Sequence, residues 1–444
     1  MRRRWKVFLP ILAAAFLAAG FMVQAEDGSI VDENSGLFEQ VQLLADSLTL
    51  ISTDYVEPVK VKDLIYGAIR GMTGTLDGYS QFLDPESFKE ITEEAKGEFG
   101  GVGIEIGIRE GILTVIAPIE DTPAFTAGIK AGDRIVRIDG EAVRDMMLDN
   151  AVKMLRGEPG TKVNITVLRE GVDNALDLEI TRAVIKLKSI TDAGILEGEI
   201  GYIKLIEFQQ RTPEDLKRSM EMLAGKGAKS VILDLRNNPG GLLDAAVEAA
   251  DYFLEPGRMI VYTEGRDPEK RVEFRSEREP VFPGLNMIVL VDRGSASASE
   301  ILAGAIKDNK RGVIVGVPTF GKGSVQTVVP LNDGSAIRIT TAAYFTPSGK
   351  NLRDKGIDPD IHVKYFEGEA REKEKTKKMK DKETGDEGEG ERIKEDGPDK
   401  GGTVEPEDRG YDSQLSAAIN VLKGFRVFED YRTDSLSGEE ASEG

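Results

Sequence analysis

The amino-acid sequence predicts a multi-domain α/β protein with a layered α/β core, an inserted β-rich domain and an N-terminal helical region. Strand-like apolar runs alternate with helical stretches through residues 184–366, as in α/β layered cores. Short β-like runs separated by glycine turns fill residues 95–183, and apolar residues at helical spacing occupy residues 26–94. These three patterns define the predicted domains.

Residues 1–25 are typical of a secretory signal peptide. A basic start precedes an apolar run over residues 7–23, and Ala25 stands before Glu26. This order predicts cleavage after Ala25 and therefore an exported protein, periplasmic or extracellular. Because the apolar run approaches the length that spans a bilayer, an uncleaved membrane anchor is the alternative.

The helical region over residues 26–94 is indicated by apolar spacing. Pro58 and Gly71 interrupt the pattern. The apolar residues that recur at helical spacing are Leu43, Leu44, Leu48 and Ile51, then Leu64, Ile65, Ala68 and Ile69.

The β-rich domain is predicted over residues 95–183. Its strand-like runs lie at residues 101–106, 113–116, 134–138 and 163–167. One helix, near residues 147–155, interrupts them. In the core that follows, strands at 200–203, 231–235 and 287–291 alternate with helices near 215–223, 243–253 and 299–307.

Residues 367–410 are dense in charge and glycine and contain almost no apolar side chains. Such a segment cannot bury enough apolar surface to offset the entropy of ordering, so a disordered linker is predicted. Within residues 411–444, Leu415, Ala418, Ile419 and Leu422 recur at helical spacing and predict a C-terminal helix.

Composition excludes several classes of function. The chain has no cysteine and one histidine, His362, so neither a Cys/His pair nor a multi-histidine zinc site can be assembled. Its 78 acidic residues against 58 basic ones argue against nucleic-acid binding, which needs clustered lysine and arginine. An enzyme built from this chain must therefore find its base elsewhere.

A serine-rich turn follows the strand predicted at residues 287–291. It consists of small residues around three serines, Gly294-Ser295-Ala296-Ser297-Ala298-Ser299-Glu300. In such an elbow a side chain stands beside a helix N-terminus, where N–H groups and the helix dipole stabilise a developing oxyanion. The plainer interpretation is a turn that caps a helix.

A second segment sets a lysine between two glycines: Phe320-Gly321-Lys322-Gly323-Ser324-Val325-Gln326. Together with Gly316 it fits the opening of a phosphate-binding P-loop. That loop needs Ser or Thr directly after the lysine and then a helix, whereas Gly323 and a predicted strand follow Lys322. The sequence therefore argues against nucleotide binding.

To act as a base, Lys322 must be neutral, and a lysine loses its proton near neutral pH only when it is desolvated or near positive charge. Gln326 lies an even number of residues away, so on a strand both side chains point to one face. Its amide could orient the amine without a carboxylate's charge, which would stabilise the protonated form. A surface lysine on a loop is the plainer alternative.

Together the two segments resemble the carboxyl-terminal processing proteases, PDZ-containing Ser/Lys peptidases of family S41. The resemblance extends over nearly all of the mature chain up to about Tyr365. It implies that the middle serine, Ser297, is the nucleophile, Lys322 the general base and Gln326 the residue that orients the lysine. The family's interval of 25 residues from serine to lysine is met by Ser297 and Lys322, which selects Ser297 over its two neighbouring serines.

The turn Pro239-Gly240-Gly241, between a strand and a helix, is a third feature of the family. Glycines free backbone N–H groups to aim at an anion. The resemblance implies one oxyanion-hole N–H from Gly240 or Gly241, with Gly241 favoured, and the other from Ala298. Without the family, this is only a tight strand-to-helix turn.

The β-rich domain resembles a PDZ domain. Its candidate peptide-binding residues are Gly101, Val102, Gly103 and Ile104, in a loop that resembles the one receiving a peptide's terminal carboxylate, together with Arg156. Arg156, just after the domain's helix, could pair with a substrate carboxylate or with the protease core. A solvated helix-end arginine is equally consistent with the sequence.

The resemblance implies an exported serine endopeptidase, a C-terminal processing peptidase that needs no metal or cofactor. Its expected partners are unfolded or extended polypeptides with apolar C-termini, and the family allows a homo-oligomer paired through the N-terminal helices. The alternative is a non-catalytic PDZ scaffold on a protease fold. A hydrolase of cell-wall or β-lactam amides would need a lysine three residues after the serine, where Glu300 stands.

Overall fold

Five parallel strands and one antiparallel edge strand form the central sheet of the computed structural model, which describes residues 30–144, 146–353, 355–366 and 412–440. The predicted signal peptide (1–25) and the predicted linker (367–410) lie outside the described residues. The chain divides into two compact units, Met1–Met72 and Thr73–Gly444.

The described chain contains α-helices and β-strands in mixed order. The helices are α1 (Ile30–Asp54), α2 (Val61–Gly74), α3 (Pro85–Lys96), α4 (Pro123–Thr126), α5 (Leu148–Leu155), α6 (Thr212–Gly225), α7 (Leu243–Asp251), α8 (Ala298–Asp308) and α9 (Ser413–Glu440). The first nine strands are β1 (Gln81–Leu83), β2 (Glu98–Gly101), β3 (Ile104–Arg109), β4 (Ile112–Pro118), β5 (Arg134–Ile138), β6 (Glu141–Ala142), β7 (Lys162–Leu168), β8 (Leu176–Thr181) and β9 (Ala183–Lys186). The others are β10 (Ile190–Leu196), β11 (Ile200–Leu205), β12 (Ser230–Asp234), β13 (Met259–Gly265), β14 (Val272–Arg275), β15 (Asn286–Val291), β16 (Val313–Gly316), β17 (Ser324–Pro330), β18 (Ala336–Phe345) and β19 (Ile361–His362).

The first unit is helical and holds α1 and nearly all of α2, which confirms the predicted N-terminal helical region. Apolar side chains of α1 are exposed, among them Leu37, Phe38, Val41 and Leu50. Among the described residues, no helix has both the length and the apolar character needed to cross a membrane.

The second unit begins with a strand that the helical spacing did not predict. β1 pairs antiparallel with β18, and its Phe82 and Leu83 are buried. α3 follows, with the Asp84 carboxylate accepting the Ser87 N–H at its start and Gly97 in the left-handed conformation at its end.

The β-rich domain is a sheet of order β3-β4-β5-β7-β8, with β6 added beside β5. β7 shows why it forms: Val163, Ile165 and Val167 are buried while Lys162 and Asn164 point outward, the alternation of a half-buried strand. β2 and β9 pair antiparallel, so the chain enters and leaves this domain at one place.

The central sheet has the order β10-β11-β12-β15-β16-β19. Its strands are apolar on both faces, as in sheets covered on two sides. Val231 and Leu233 pack in the cluster with α6, α7 and α8, whereas Ile232 packs on the opposite face with Leu415 and Leu422 of α9. A second sheet has the order β1-β18-β13-β14, with β17 beside β18. Side chains of β13 and β18 pack in the same cluster as α6, α7 and α8.

Three neighbouring parallel strands end at the same edge of the central sheet. β12 runs into residues 236–242, the glycine turn; β15 runs into residues 292–297, the serine turn; and β16 runs into residues 317–323, the lysine loop. Because the carboxyl ends of parallel strands meet at one edge, this topology gathers the three predicted segments into one site.

Candidate active site

The serine turn holds Ser297 immediately before α8. The Asp292 carboxylate accepts N–H bonds from Gly294 at 2.9 Å and Ser295 at 3.1 Å, which folds the turn back on itself. Ser297 has φ of 53°, a left-handed conformation that is uncommon for a residue other than glycine. Such a conformation persists only where surrounding contacts enforce it, which is frequent at functional sites.

The three serines of this turn differ in what their hydroxyl groups do. Ser295 Oγ donates to the Leu235 carbonyl at 2.8 Å, and Ser299 Oγ donates to the Asn238 carbonyl at 3.0 Å. Both side chains are fully buried. The Ser297 hydroxyl donates to no acceptor among the described residues, and the residue is 9% exposed. Of the three, therefore, Ser297 has the hydroxyl left available for chemistry.

Glu300 joins the serine turn to the lysine loop. One oxygen of its fully buried carboxylate accepts the N–H of Ser297 at 2.8 Å and the N–H of Lys322 at 2.9 Å. The other oxygen accepts the Gly321 N–H at 2.8 Å and the Thr319 hydroxyl at 2.5 Å. One carboxylate thus fixes the backbone on which both predicted reactive side chains stand.

The environment of Lys322 favours its neutral form. Burial is the main cause that lowers its pKa, the nearby Arg338 guanidinium lowers it further, and the Glu300 carboxylate opposes both. The Lys322 Nζ atom lies 5.6 Å from the centre of the Tyr79 ring. It forms no hydrogen bond with Ser297 or Gln326 in the described part of the chain.

Gln326 lies on β17, which follows the lysine loop. Its amide nitrogen donates to Ser324 Oγ at 2.7 Å and to Thr340 Oγ1 at 3.5 Å. The pairing of β17 with β18 shifts register between Val325 and Gln326, so simple alternation from Lys322 does not fix which face Gln326 occupies. In this conformation Gln326 is placed near the lysine loop but is not bonded to Lys322.

The glycine turn packs directly on the serine turn. A Cβ atom on Gly240 would lie 2.7 Å from the Ala296 carbonyl oxygen and 2.8 Å from Ser297 Cβ. The Gly240 N–H donates to the Asn238 side chain at 2.9 Å, whereas the N–H groups of Gly241 and Ala298 donate to no acceptor among the described residues. Of the two glycines, Gly241 is therefore the one whose N–H, like that of Ala298, has no acceptor among the described residues, and it directly follows Gly240, which packs on Ser297.

A buried ion network holds the start of the glycine turn. The Arg236 guanidinium donates to Asp234 at 2.6 Å and pairs with Asp412, the residue before α9, at 2.7 Å. Burial opposes ionisation of Asp234, but Arg236 and Lys204 outweigh it and keep the pKa of this carboxyl below its ordinary value. The C-terminal helix is thereby tied to the strand that ends in the glycine turn.

The predicted PDZ loop borders a groove of about 200 Å³ between β3 and α5. Among the described residues, the N–H groups of Val102 and Gly103 have no acceptor, and Gly101, Val102, Gly103 and Ile104 all line the groove. Arg156 also lines the groove, with its guanidinium 4.6 Å from the centre of the Phe99 ring. The groove therefore has mostly apolar walls and one cationic side chain.

Sequence reasoning missed two residues of this site. Glu300 stands three residues after Ser297, the position of the glutamate in a helix capping box, and this spacing was a signal that could have found it. Tyr79 lies far from Lys322 in the sequence, and nothing in its own neighbourhood pointed to the site.

Three family models match the chain: Peptidase family S41 over residues 199–363, a PDZ domain over residues 100–180, and the activating protease CtpB N-terminal domain over residues 20–87. The first two cover the central sheet with its site and the β-rich domain.

Named relatives match most of the chain. A carboxy-terminal-processing protease of Bartonella bacilliformis is 38% identical over 93% of this chain and 95% of its own length. The carboxy-terminal processing protease CtpA of Bacillus subtilis is 34% identical over 81% of this chain and 78% of its own length. Among solved structures, the photosystem II D1 C-terminal processing protease is 33% identical, with a TM-score of 0.44 over 70% of this chain and 84% of its own.

Proposed function

The chain belongs to peptidase family S41, as a carboxy-terminal processing protease with a PDZ domain, and from that premise we propose that it is an exported serine endopeptidase with a Ser297–Lys322 dyad. One observation carries the proposal: of the three serines in the turn, only Ser297 has a hydroxyl that donates to no acceptor in the described part of the chain. Its backbone shares the Glu300 carboxylate with Lys322, whose pKa is lowered.

The reaction begins with proton transfer from Ser297 to Lys322. The neutral amine of Lys322 takes the hydroxyl proton as Ser297 Oγ attacks the scissile carbonyl carbon. No hydrogen bond joins the two side chains in this conformation. Catalytic hydrogen bonds are often long without substrate and tighten when it binds. Gln326 then orients the amine from β17.

The tetrahedral intermediate places its negative oxygen beside the glycine turn. The free N–H groups of Gly241 and Ala298 flank Ser297 and supply the two donors of the oxyanion hole, while the N–H of Gly240 is already used by Asn238. The dipole at the start of α8 adds to their effect. Collapse of the intermediate breaks the C–N bond, and Lys322 gives its proton to the leaving amine.

Water completes the cycle. Lys322, neutral again, takes a proton from a water molecule that attacks the acyl-enzyme, and the second tetrahedral intermediate releases the carboxylic acid and restores the Ser297 hydroxyl. Because only the neutral lysine accepts a proton, the rate is expected to rise as the pH passes upward through the lowered pKa of Lys322.

We propose that substrates are unfolded or extended polypeptides whose apolar C-termini bind in the PDZ groove. The N–H groups of Val102 and Gly103, which have no acceptor among the described residues, receive the terminal carboxylate, and Arg156 lines the same groove. A substrate held there has a raised effective concentration at Ser297.

Export is proposed from residues 1–25, with cleavage after Ala25. Expression of the full chain in a bacterial host, followed by N-terminal sequencing of the protein recovered outside the cytoplasm, tests it. A mature N-terminus at Glu26 supports cleavage, whereas an intact chain that remains in the membrane fraction supports the anchor.

Mass spectrometry of an unstructured polypeptide with an apolar C-terminus tests the enzymatic proposal. The substrate is incubated with the chain from Glu26 onward and, in parallel, with the Ser297→Ala and Lys322→Ala variants. Fragments from the parent alone establish a Ser/Lys protease. Fragments from all three overturn the assignment of the site, and saturable peptide binding without fragments points to a non-catalytic PDZ scaffold.

A further inference from the structure

Lys322 contacts Tyr79, a residue that belongs neither to the lysine loop nor to α8. The Tyr79 ring centre lies 5.6 Å from Lys322 Nζ, within the range of a cation–π contact. Tyr79 is 39% exposed, so the residue that contacts the Lys322 amino group also contacts solvent.

Two side chains, those of Asp77 and Arg338, fix the backbone at Tyr79 and Ser80. The Asp77 carboxylate accepts the N–H bonds of Tyr79 at 2.8 Å and Ser80 at 2.7 Å, and Arg338 on β18 donates to the Tyr79 carbonyl at 3.2 Å. The Thr340 hydroxyl, followed by these N–H groups, lowers the pKa of Asp77 to about 2. The Asp77 carboxylate therefore stays ionised, and the turn intact, at every pH at which the enzyme would be assayed.

β1 and β18 explain how a residue before the PDZ domain reaches the site. Gln81 pairs with Arg338 and Leu83 with Ala336, while the Thr340 N–H donates to Ser80 Oγ at 3.1 Å. β18 also pairs with β17, the strand that leaves the lysine loop. Tyr79 and Lys322 are thus attached to the same sheet from opposite ends of the sequence.

We propose that Tyr79 is a positioning residue for Lys322, whose ring shields the amino group from water and holds it ready to exchange a proton with Ser297. The proposal rests on the proposed function, in which Lys322 is the base.

The ring has two opposed effects on the protonation of Lys322. The ring acts as an apolar wall that keeps water away from the amino group, which disfavours the charged ammonium form. The negative face of the ring attracts the ammonium, which favours that form. The charged groups that face Lys322 are Arg338 on β18, which disfavours the ammonium, and Glu300 on α8, which favours it. Since burial is the largest of these influences, loss of the wall is expected to favour the protonated form.

The test compares kcat/KM against pH for the parent and the variants Tyr79→Phe, Tyr79→Leu and Tyr79→Ala, with an unstructured peptide as substrate. Tyr79→Phe keeps the wall and the ring and should coincide with the parent. Tyr79→Leu keeps an apolar wall but loses the ring's attraction for the ammonium. The acid limb of its profile should therefore lie at the same pH as that of the parent, or at a lower pH. Tyr79→Ala should move the acid limb upward by about one pH unit, which lowers kcat/KM about tenfold on that limb.

The value of kcat/KM on the alkaline plateau distinguishes an effect on the protonation of Lys322 from general damage to the structure. Tyr79→Ala should reach a plateau within about twofold of the parent, because deprotonation restores the base. Phe125→Ala, which removes a similarly exposed ring from the PDZ domain, should change neither limb nor plateau. Should Tyr79→Ala not fold, Tyr79→Gln replaces it, since its amide solvates the ammonium and should raise the limb in the same way.

An unmoved acid limb in Tyr79→Ala, or a rate lowered equally at every pH, would overturn the proposal. A failure of the proposed function looks different: Lys322→Ala would then cleave at the parent rate, whatever the Tyr79 variants do. An upward shift in Tyr79→Leu as large as in Tyr79→Ala would also overturn it, because an apolar wall would then not suffice.

Discussion

A single residue, Glu300, holds the serine turn and the lysine loop in fixed positions relative to each other. Glu300 accepts four hydrogen bonds inside the protein, one from the serine turn and three from the lysine loop. A buried donor that loses its acceptor costs the full desolvation of that group, which makes the carboxylate hard to replace. Ser297 and Lys322 are thereby held on one rigid support.

Glu300→Gln is expected to lower both activity and stability. An amide has one carbonyl oxygen, so two of the four donors would face its NH₂ group instead of an acceptor. We expect the free energy of unfolding in urea to fall by about 3 kcal/mol and kcat/KM by tenfold or more. Glu248→Gln, on the exposed face of α7, is the matched control and should cost at most about 1 kcal/mol. Parent-like stability and activity in Glu300→Gln would show that this carboxylate does not support the site.

Among the turns and helices, the glycine turn is the element whose shape depends most directly on its residue types. The glycine turn approaches two backbone segments so closely that side chains are excluded from it. A Cβ atom on Gly241 would lie 2.1 Å from the Phe208 carbonyl oxygen, and its φ of 134° is unfavourable for other residues. The backbone can adopt this conformation so close to Phe208 only because this position is glycine.

Gly241→Ala should therefore displace the oxyanion-hole donor. Loss of one such donor typically lowers kcat by about 100-fold to 1,000-fold, and we expect a fall of that order. Gly284→Ala serves as the control, since Gly284 also has a positive φ but no atom within 4 Å of its added Cβ. It should lose about 1 kcal/mol of stability and keep its activity. Equal kcat in the Gly241→Ala variant and the parent would argue against a donor from this turn.

The C-terminal helix covers the face of the central sheet opposite α6, α7 and α8. Leu422 is 3% exposed and packs among residues of β11, β12, β15 and β16. Leu422→Ala should lower the free energy of unfolding by about 2–5 kcal/mol, measured in urea. Val427→Ala, at a position 51% exposed on the same helix, should change it by about 0.5 kcal/mol or less. If both variants unfold alike, α9 does not contribute to the core.

Across the chain as a whole, the β-rich domain and the central sheet are predicted to act on one polypeptide. In the proposed function, the groove beside Val102 and Gly103 binds the end of a substrate, and Ser297 cuts elsewhere along it. The free N–H groups in the groove are suited to a negative terminal carboxylate rather than to any internal peptide group.

Amidation of the substrate's C-terminus is expected to weaken binding about 10-fold to 100-fold, because hydrogen bonds to a charged acceptor are each worth about 1.5–3 kcal/mol. Calorimetric titration of the Ser297→Ala variant with paired free-acid and amidated peptides measures the difference without cleavage. Equal dissociation constants for the two peptides would show that the groove does not recognise a terminus.

How much of the structure the sequence predicts depends on how far apart the interacting residues lie along the chain. Strands at 231–235 and 287–291, and the helices after them, follow from local apolar patterns and are present. The serine turn and lysine loop follow from motifs of a few residues each. The contact of Tyr79 with Lys322 depends on the pairing of β1 with β18, which no local pattern encodes. The hydrogen bonds that distinguish Ser297 from Ser295 and Ser299 likewise depend on β12 lying beside β15.

The most direct measurement is site mapping of covalent labelling by a fluorophosphonate, whose phosphorus is attacked by an activated serine to form a phosphonate ester with release of fluoride. The parent and Lys322→Ala are labelled at a series of pH values, digested and analysed by mass spectrometry. The account predicts one adduct, on Ser297, whose rate of formation rises with pH in the parent and falls at least about 100-fold in Lys322→Ala. An adduct on Ser295 or Ser299, or labelling of Lys322→Ala at the parent rate, would contradict it.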